Sequence, residues 1–526
     1  MIRRKTQDPI YWSDEFVVSP DDLQYLNGLF IEDEIPRSIE ELGRAVVQRR
    51  CQLEEALVQR ALASGTPYQP KASFEIGEQV VFPAFGYVTG EVIGIRSGLN
   101  PEYGDFRVIE VAFDSGTRRE LAAELPVDHV LNADVVPAAD AQVVSPEALA
   151  DAYGARVAEL LEVVLEAEPD FVRLAGKWFR KDLLVEVHIG HLNLAEAVLD
   201  MMGGGPLPTE ELVDSVELPQ EINQQLRVFS LNYALQEDKR FDEVGPAGEV
   251  QWYLSALEPA NVKSVPRYLK PYLGTYDSQA LTSEMLALEQ TLDDEWSSIT
   301  PDQDFVTPLV ITLTYPHWRA GTLPFSAQLS GLFPTGRTQR IRFTLIDGET
   351  GSEMPGWVVR EARYICGLEE WYRSNDVPVG SYLELEPGPY PGSVVIRRVN
   401  NRSRREWIRL ALVNDGRLRF EMRKTQISGD YNELMILAVD DQDALDQLSS
   451  EISRHPVLLG RIVGDIFPEL AKLSPQGSVH AATLYSAVNT LIRVPPGPVL
   501  AELVSGGRYV PVGDNYWVLS SISSGD

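Results

Sequence analysis

Apolar positions recur along this chain at helical spacing in some stretches and at strand spacing in others, and the change-overs are sharp. Ser19-Pro20 supplies an N-cap and first-turn pair for a helix reaching Phe30, after a short entry strand at Phe16-Val17-Val18. Ser38 with Glu41 forms a capping box for a second helix, on which Leu42, Val46, Leu53 and Leu57 share a face. From Phe74 the period becomes that of strands. Phe74, Ile76, Val80, Val81, Phe82, Tyr87, Val88, Val92 and Ile95 fall around turns at Gly77, Gly86, Gly90 and Gly94, with Val108, Val111 and Phe113 beyond. That pattern predicts a small twisted barrel. Helices return from 193 to 202, stopped by Gly203-Gly204-Gly205-Pro206, then behind a Thr209 cap, then from 222 to 236 with Ile222, Leu226, Phe229 and Tyr233 on one face. An acidic amphipathic helix is expected over 284–296. After Pro308 strands are expected at 309–314, 340–345, 357–359, 382–385 and 394–396, with a helix near 367–372. The last helices fall at 443–453, 457–467 and 479–492, before Pro495-Pro496-Gly497-Pro498 and one more short helix.

One ending occurs twice. Arg240-Phe241-Asp242-Glu243-Val244-Gly245 leads to Trp252-Tyr253-Leu254, and Arg508-Tyr509-Val510-Pro511-Val512-Gly513 leads to Trp517-Val518-Leu519. An aromatic, a valine-glycine turn and a tryptophan in a second short run describe a hairpin whose aromatics close a helical core. Two winged-helix modules are therefore expected in an α+β multidomain chain. Its parts are a helical N-terminal region (1–70), the small β-barrel (71–132), a linker (133–155) and a winged helix (156–258). A linker with the acidic helix (259–304), an arginine-rich β pseudobarrel (305–440) and a winged-helix-like domain (441–526) complete it.

Three stretches carry family resemblances. The barrel, with its order of Gly77-Glu78, Val80-Val81-Phe82-Pro83 and Gly86-Tyr87-Val88, resembles the RNA-polymerase-interacting domain of CarD-type regulators and of the transcription-repair coupling factor. Tudor and KOW barrels share much of the same pattern. The resemblance implies strand-edge pairing with a polymerase lobe. Pro206-Leu207-Pro208-Thr209-Glu210-Glu211-Leu212, Asn232-Tyr233-Ala234-Leu235 and the first hairpin through Trp252 resemble the HARE-type helix-turn-helix of the bacterial RNA polymerase delta subunit and of chromatin proteins. From about 323 to 413 the chain is similar to the plant-type DNA-binding pseudobarrel, with Ser381 where that family usually has an acid.

Charge redirects the search for a nucleic-acid surface. The 526 residues hold 46 Lys and Arg against 78 Asp and Glu, a net charge of −32, so a phosphate backbone is repelled by the molecule as a whole. The third helices of both winged modules are poor in cations: Arg227 alone between Ile222 and Asp238, and His480 with Arg493 in the other. Between Ile396 and Lys424, by contrast, Arg397, Arg398, Arg402, Arg404, Arg405, Arg409, Arg417, Arg419, Arg423 and Lys424 face only Glu406, Asp415 and Glu421. The candidate nucleic-acid contacts are Arg397, Arg398, Arg402, Arg404, Arg405, Arg409, Arg419 and Arg423, with Trp407 inside the run available for stacking or for core packing. The alternative is a solvated sheet face that balances an acidic neighbour.

Candidate chemistry adds little. Two cysteines, Cys51 and Cys366, argue for a reducing compartment, and no apolar run suggests a signal peptide or membrane span, so a cytoplasmic protein without membrane partners is expected. His188 and His191 lack the further ligands a metal needs, the triple glycine ends a helix where a phosphate loop would begin one, and no nucleophile elbow occurs. Arg49 and Arg50 beside Cys51 could lower its pKa, yet no base accompanies it. The expectation is a non-enzyme with no catalytic residue, metal or cofactor. A transcription-associated regulatory protein that binds RNA polymerase or another protein through its barrel and HARE-like module is expected. The alternative is a DNA-binding regulator or defence-system recognition subunit acting through the arginine-rich pseudobarrel.

Overall fold

Two-residue strands that run straight into a helix organise this protein. The computed structural model describes residues 5–113, 116–132, 144–297, 307–400, 402–436, 438–455 and 457–520. They form two units, residues 1–187 with 218–233 and residues 188–217 with 234–526.

In the first unit, capping boxes at Ser19 and Ser38 start the helices Pro20–Asp33 and Ile39–Ser64. The buried stripe of the second helix is Ile39, Leu42, Val46, Val47, Cys51 and Val58, whereas Leu53 and Leu57 face solvent, Leu57 at 67% exposure. The expected face was thus right only in its first two turns. Its neighbour is the helix Pro146–Ala167, whose start falls in the segment read as linker; the stretch 133–143 of that linker lies outside the described residues. The two helices approach so closely that a Cβ on Gly43 would stand 2.5 Å from the Gly154 carbonyl oxygen. Leu161, Leu165, Trp178, Phe179, Leu226 and Phe229 complete this core. Phe16-Val17-Val18, expected as a strand, has no strand partner among the described residues and follows a short π-turn at Tyr11–Glu15.

Between the two long helices the chain inserts a five-stranded sheet. Thr66–Pro67 lies parallel to Gln79–Phe82, and Val88–Ser97, Arg107–Phe113 and Arg118–Ala123 follow as an antiparallel meander. Val80, Phe82, Val92, Ile109 and Val111 form its core, as the alternation predicts.

The second unit centres on a seven-stranded mixed sheet, and one sheet of the molecule curls into a half-barrel. In sheet order its strands are Leu309–Thr312, Tyr382–Pro387, Ser393–Arg398, Arg340–Asp347, Glu353–Val359, Tyr364–Cys366 and Thr322–Pro324. Helices Tyr315–Ala320 and Glu369–Ser374 lie in its connections. The segment read as an acidic linker is packed rather than free: Val262, Leu269, Leu281 and Met285 are buried, the last two in the same core as the C-terminal helices.

Three modules share one chain order. Arg37–Ser38, Leu207–Pro208 and Val479–His480 each run directly into a helix, and each pairs with the second strand of a later hairpin. The partners are Arg37 with Trp178, Leu207 with Trp252 and Val479 with Trp517, so a buried tryptophan occupies the same register position three times. Phe171, Phe241 and Tyr509 open the first strand of the three hairpins, each two residues before the tryptophan's opposite number. Only two of these hairpins are visible as a sequence repeat. The first closes in an Ala175-Gly176 turn, both residues at positive φ, without the valine-glycine signal, and the inserted sheet separates it from its own two-residue strand.

Candidate nucleic-acid interface

Most of the arginine run forms a separate hairpin. Ser403–Asn414 and Arg417–Ser428 pair antiparallel over twelve consecutive positions and close in an Asp415-Gly416 turn, both at positive φ. Ala438–Val439 adds a short parallel strand. Alternation decides what each position does. Near the turn, Ala411, Leu418 and Phe420 enter a core with Ile462 and Phe467 of the helix Leu459–Ala471, so this half of the hairpin belongs energetically to the C-terminal helices. At the open end the same face holds Arg405, Trp407, Lys424 and Gln426. Trp407 stands opposite Lys424 and is 61% exposed; Arg405 stands opposite Gln426, which donates to Ser403 Oγ at 2.7 Å.

The candidate arginines separate into engaged and available groups. Arg397 and Arg398 lie on the seven-stranded sheet instead of the hairpin. Arg397 is held by Glu384 and Glu386, and Arg398 donates to the Asn375 carbonyl at 2.8 Å with Glu349 at 3.5 Å. Arg404 reaches Asp430 at 3.3 Å and Glu406 at 3.8 Å. Arg409 donates to the Glu433 carbonyl, and burial lowers its pKa. Arg419 is bound to Glu469, and Arg423 bridges Glu421 at 2.8 Å and Asp440 at 2.7 Å. Among the described residues, Arg402, Arg405, Arg417 and Lys424 have no ion pair. Three of those four, Arg402, Arg405 and Lys424, stand at the open end with Trp407.

Outside the run, Arg44, Arg49, Arg50 and Arg240 are engaged. Arg50 forms a 2.6 Å pair with buried Asp22, Arg44 pairs with Asp151, and Arg49 covers the Tyr25 ring. Arg240 of the second module is gripped by Asp238, Glu196 and Asn193, which raises its pKa. That module's hairpin is docked on the seven-stranded sheet: Tyr253 meets Trp357 edge-on at 5.0 Å, and Arg340 bridges Asp242 at 3.0 Å and Glu258 at 2.7 Å.

Cys51 is not activated; burial raises its thiol, and burial drives Cys366 up to about 12. His188 and His191 stack at 3.6 Å and cap the helix Ile189–Met201, His188 Nδ1 accepting from Gly190 N–H. Among the described residues no group of three or more His, Cys, Asp or Glu is placed to hold a metal ion.

One charged constellation escaped the sequence reading. Arg493 lies between Asp294 at 2.7 Å and Glu295 at 2.6 Å; Tyr485 donates to Asp294 at 2.6 Å, and His317 sits 3.3 Å from Glu295. Burial raises Asp294. It would raise Glu295 too, but Arg493 and His317 overcome it and hold that carboxyl at about 2. With Arg493, Asp294, Glu295 and His317 almost wholly inaccessible, the cluster fixes Asp294-Glu295 against the C-terminal helices; removing one partner from such a pair typically costs about 3–5 kcal/mol. The only advance signal was the run Asp293-Asp294-Glu295 ahead of Trp296, hidden among 78 carboxylates.

No helix among the described residues is long and apolar enough to cross a membrane. No protein family, curated protein or solved structure matches the chain.

Proposed function

We propose that this protein is a non-catalytic nucleic-acid-binding adaptor of the transcription-associated kind, which holds a single strand on the open end of its basic hairpin. The observation that carries the reading is Trp407, exposed opposite Lys424 and beside Arg405 on a strand whose other end is buried. An indole face stacks on any base, and unpaired cations beside it attract the phosphates on either side. The three tryptophan hairpin modules are read as winged helices used for packing. Their third helices are Pro146–Ala167, Gln224–Glu237 and Pro496–Val504, the last in place of the expected 479–492, which divides into the strand Val479–His480 and the helix Ala481–Val488; they carry Arg156, Arg227 and no cation respectively, too few for groove binding. The strand-helix-strand order of the seven-stranded sheet is consistent with the pseudobarrel resemblance, although its own arginines, Arg397 and Arg398, are engaged.

Fluorescence anisotropy with the full chain tests this. A labelled oligothymidine should bind more tightly than a duplex of equal length, and affinity should fall as salt rises. No binding at low salt, or preference for the duplex, would reject the reading. Protein docking through the small barrel is a second role, favoured by Phe85, exposed at its rim under Arg119 at 4.9 Å, and by exposed Val88. Recovery of RNA polymerase subunits on the immobilised protein, lost in Phe85→Ala, is the expected result.

A further inference from the structure

A half-open cavity of about 420 Å³ lies elsewhere in the second unit, between the segment 267–272, the start of the helix Tyr315–Ala320, the helix Gln442–Arg454 and the turn 489–493. Its size is that of a small-molecule site, which typically spans about 300–1,000 Å³. Tyr268, Tyr272 and Tyr315 supply aromatic walls, Ile452 and Val457 apolar ones, and Arg267, Lys270 and Arg493 the charged lining, the Arg493 guanidinium being held by Asp294 and Glu295. No carboxylate among the described residues lines it, although carboxylates outnumber cations 78 to 46 in the chain.

The walls are fixed by contacts behind them. Asp446 accepts from Tyr268 at 2.6 Å and pairs with Arg267 at 3.0 Å and Arg319 at 2.8 Å, and both guanidiniums lie over the Tyr268 ring. Tyr272 N–H donates to the Arg493 carbonyl at 2.7 Å, tying the rim to the buried charge cluster. One group is left over. Tyr315 is 2% exposed, and its hydroxyl has no hydrogen-bond partner among the described residues. Its electrostatic neighbours are Asp446, Arg319, Tyr268 and Arg267, which place it on the Arg267 side of the cavity. A buried hydroxyl without a partner is costly unless something else supplies one.

We propose that this cavity binds a nucleoside phosphate, its planar base against the tyrosine rings, its phosphate at Lys270 with Arg267, already paired with Asp446, contributing less, and a polar atom on the Tyr315 hydroxyl. Aromatic walls with Lys270 at the rim and no lining carboxylate among the described residues suit a flat ring carrying negative charge. The ligand is a free mononucleotide or the 5′-phosphorylated end of a strand. The site is separate from the Trp407 surface and stands whether or not that surface binds nucleic acid.

Isothermal titration of the full chain with AMP, GMP, CMP and UMP, and with adenosine and inorganic phosphate as controls, tests it. At least one mononucleotide should bind, with adenosine about tenfold or more weaker because it lacks the charged group. Lys270→Gln changes an exposed side chain and should weaken binding about five- to tenfold. Tyr315→Phe removes only the unpartnered hydroxyl: thermal stability should stay the same or rise while affinity falls. A purely structural role for Tyr315 would not separate these two readouts. Competition in a Trp407→Ala background distinguishes the sources. Displacement of AMP by a 5′-phosphorylated oligonucleotide and not by its 5′-hydroxyl twin identifies a strand end; displacement by neither identifies a free nucleotide. Absence of binding by all four mononucleotides up to about 5 mM, or unchanged affinity in both variants, overturns the proposal.

Discussion

The two ends of the basic hairpin share strands, sheet and composition, yet they do opposite work. At the turn end, Leu418 and Phe420 are buried against the C-terminal helices and Arg419 is fastened to Glu469, so side chains there hold the fold together. Fewer than twenty residues away along the same two strands, Trp407 and Lys424 face water, and Arg405 has no carboxylate partner among the described residues. The contrast teaches that cation density does not measure cation availability. In so acidic a chain, an arginine is free only where the fold keeps carboxylates away.

The contrast can be broken at either end. Phe420→Ala should have the largest effect, a loss of about 3–5 kcal/mol in chemical denaturation, because it empties a position shared with Ile462 and Phe467. A loss under about 1 kcal/mol would mean that the turn end is not core. Trp407→Ala should leave stability within about 0.5 kcal/mol of wild type while weakening single-strand binding by about 1–3 kcal/mol, read by anisotropy. Equal losses in both measurements would erase the distinction between the ends. Arg405→Ala with Lys424→Ala should flatten the dependence of log affinity on log salt by about 0.7 for each phosphate contact removed. An unchanged slope would show that neither cation meets phosphate. Arg423→Ala should matter least, within about twofold in affinity, because Glu421 and Asp440 already hold that guanidinium.

Much of the local structure was legible beforehand. Ser19 and Ser38 cap helices as expected, and the triple glycine ends Ile189–Met201 with three successive residues at positive φ that side chains would resist, whereas Thr209, expected as a cap, is the first helical residue and its hydroxyl accepts from the buried Trp252 indole instead. Leu53 and Leu57 misled because a helix face is defined only by what packs on it, and the partner, Pro146–Ala167, enters some eighty residues later. The strands at Thr322–Pro324 and Tyr364–Cys366 were missed for a related reason: both are three residues long and buried throughout, so no alternation marks them.

The amino-acid sequence by itself determined two tryptophan hairpins, the helix caps, the barrel's alternation and the crowding of arginine between 397 and 424. Those features depend on neighbours a few residues away, within reach of a cap, a turn or a strand period. Tertiary structure alone decided that a third hairpin shares the same register, that Arg493 closes a buried charge cluster, and which cations stay free. Glu469 neutralises Arg419 from fifty residues away, while Asp294 and Glu295 reach Arg493 across nearly two hundred. An ion pair falls off with distance in space, and only the folded chain sets that distance.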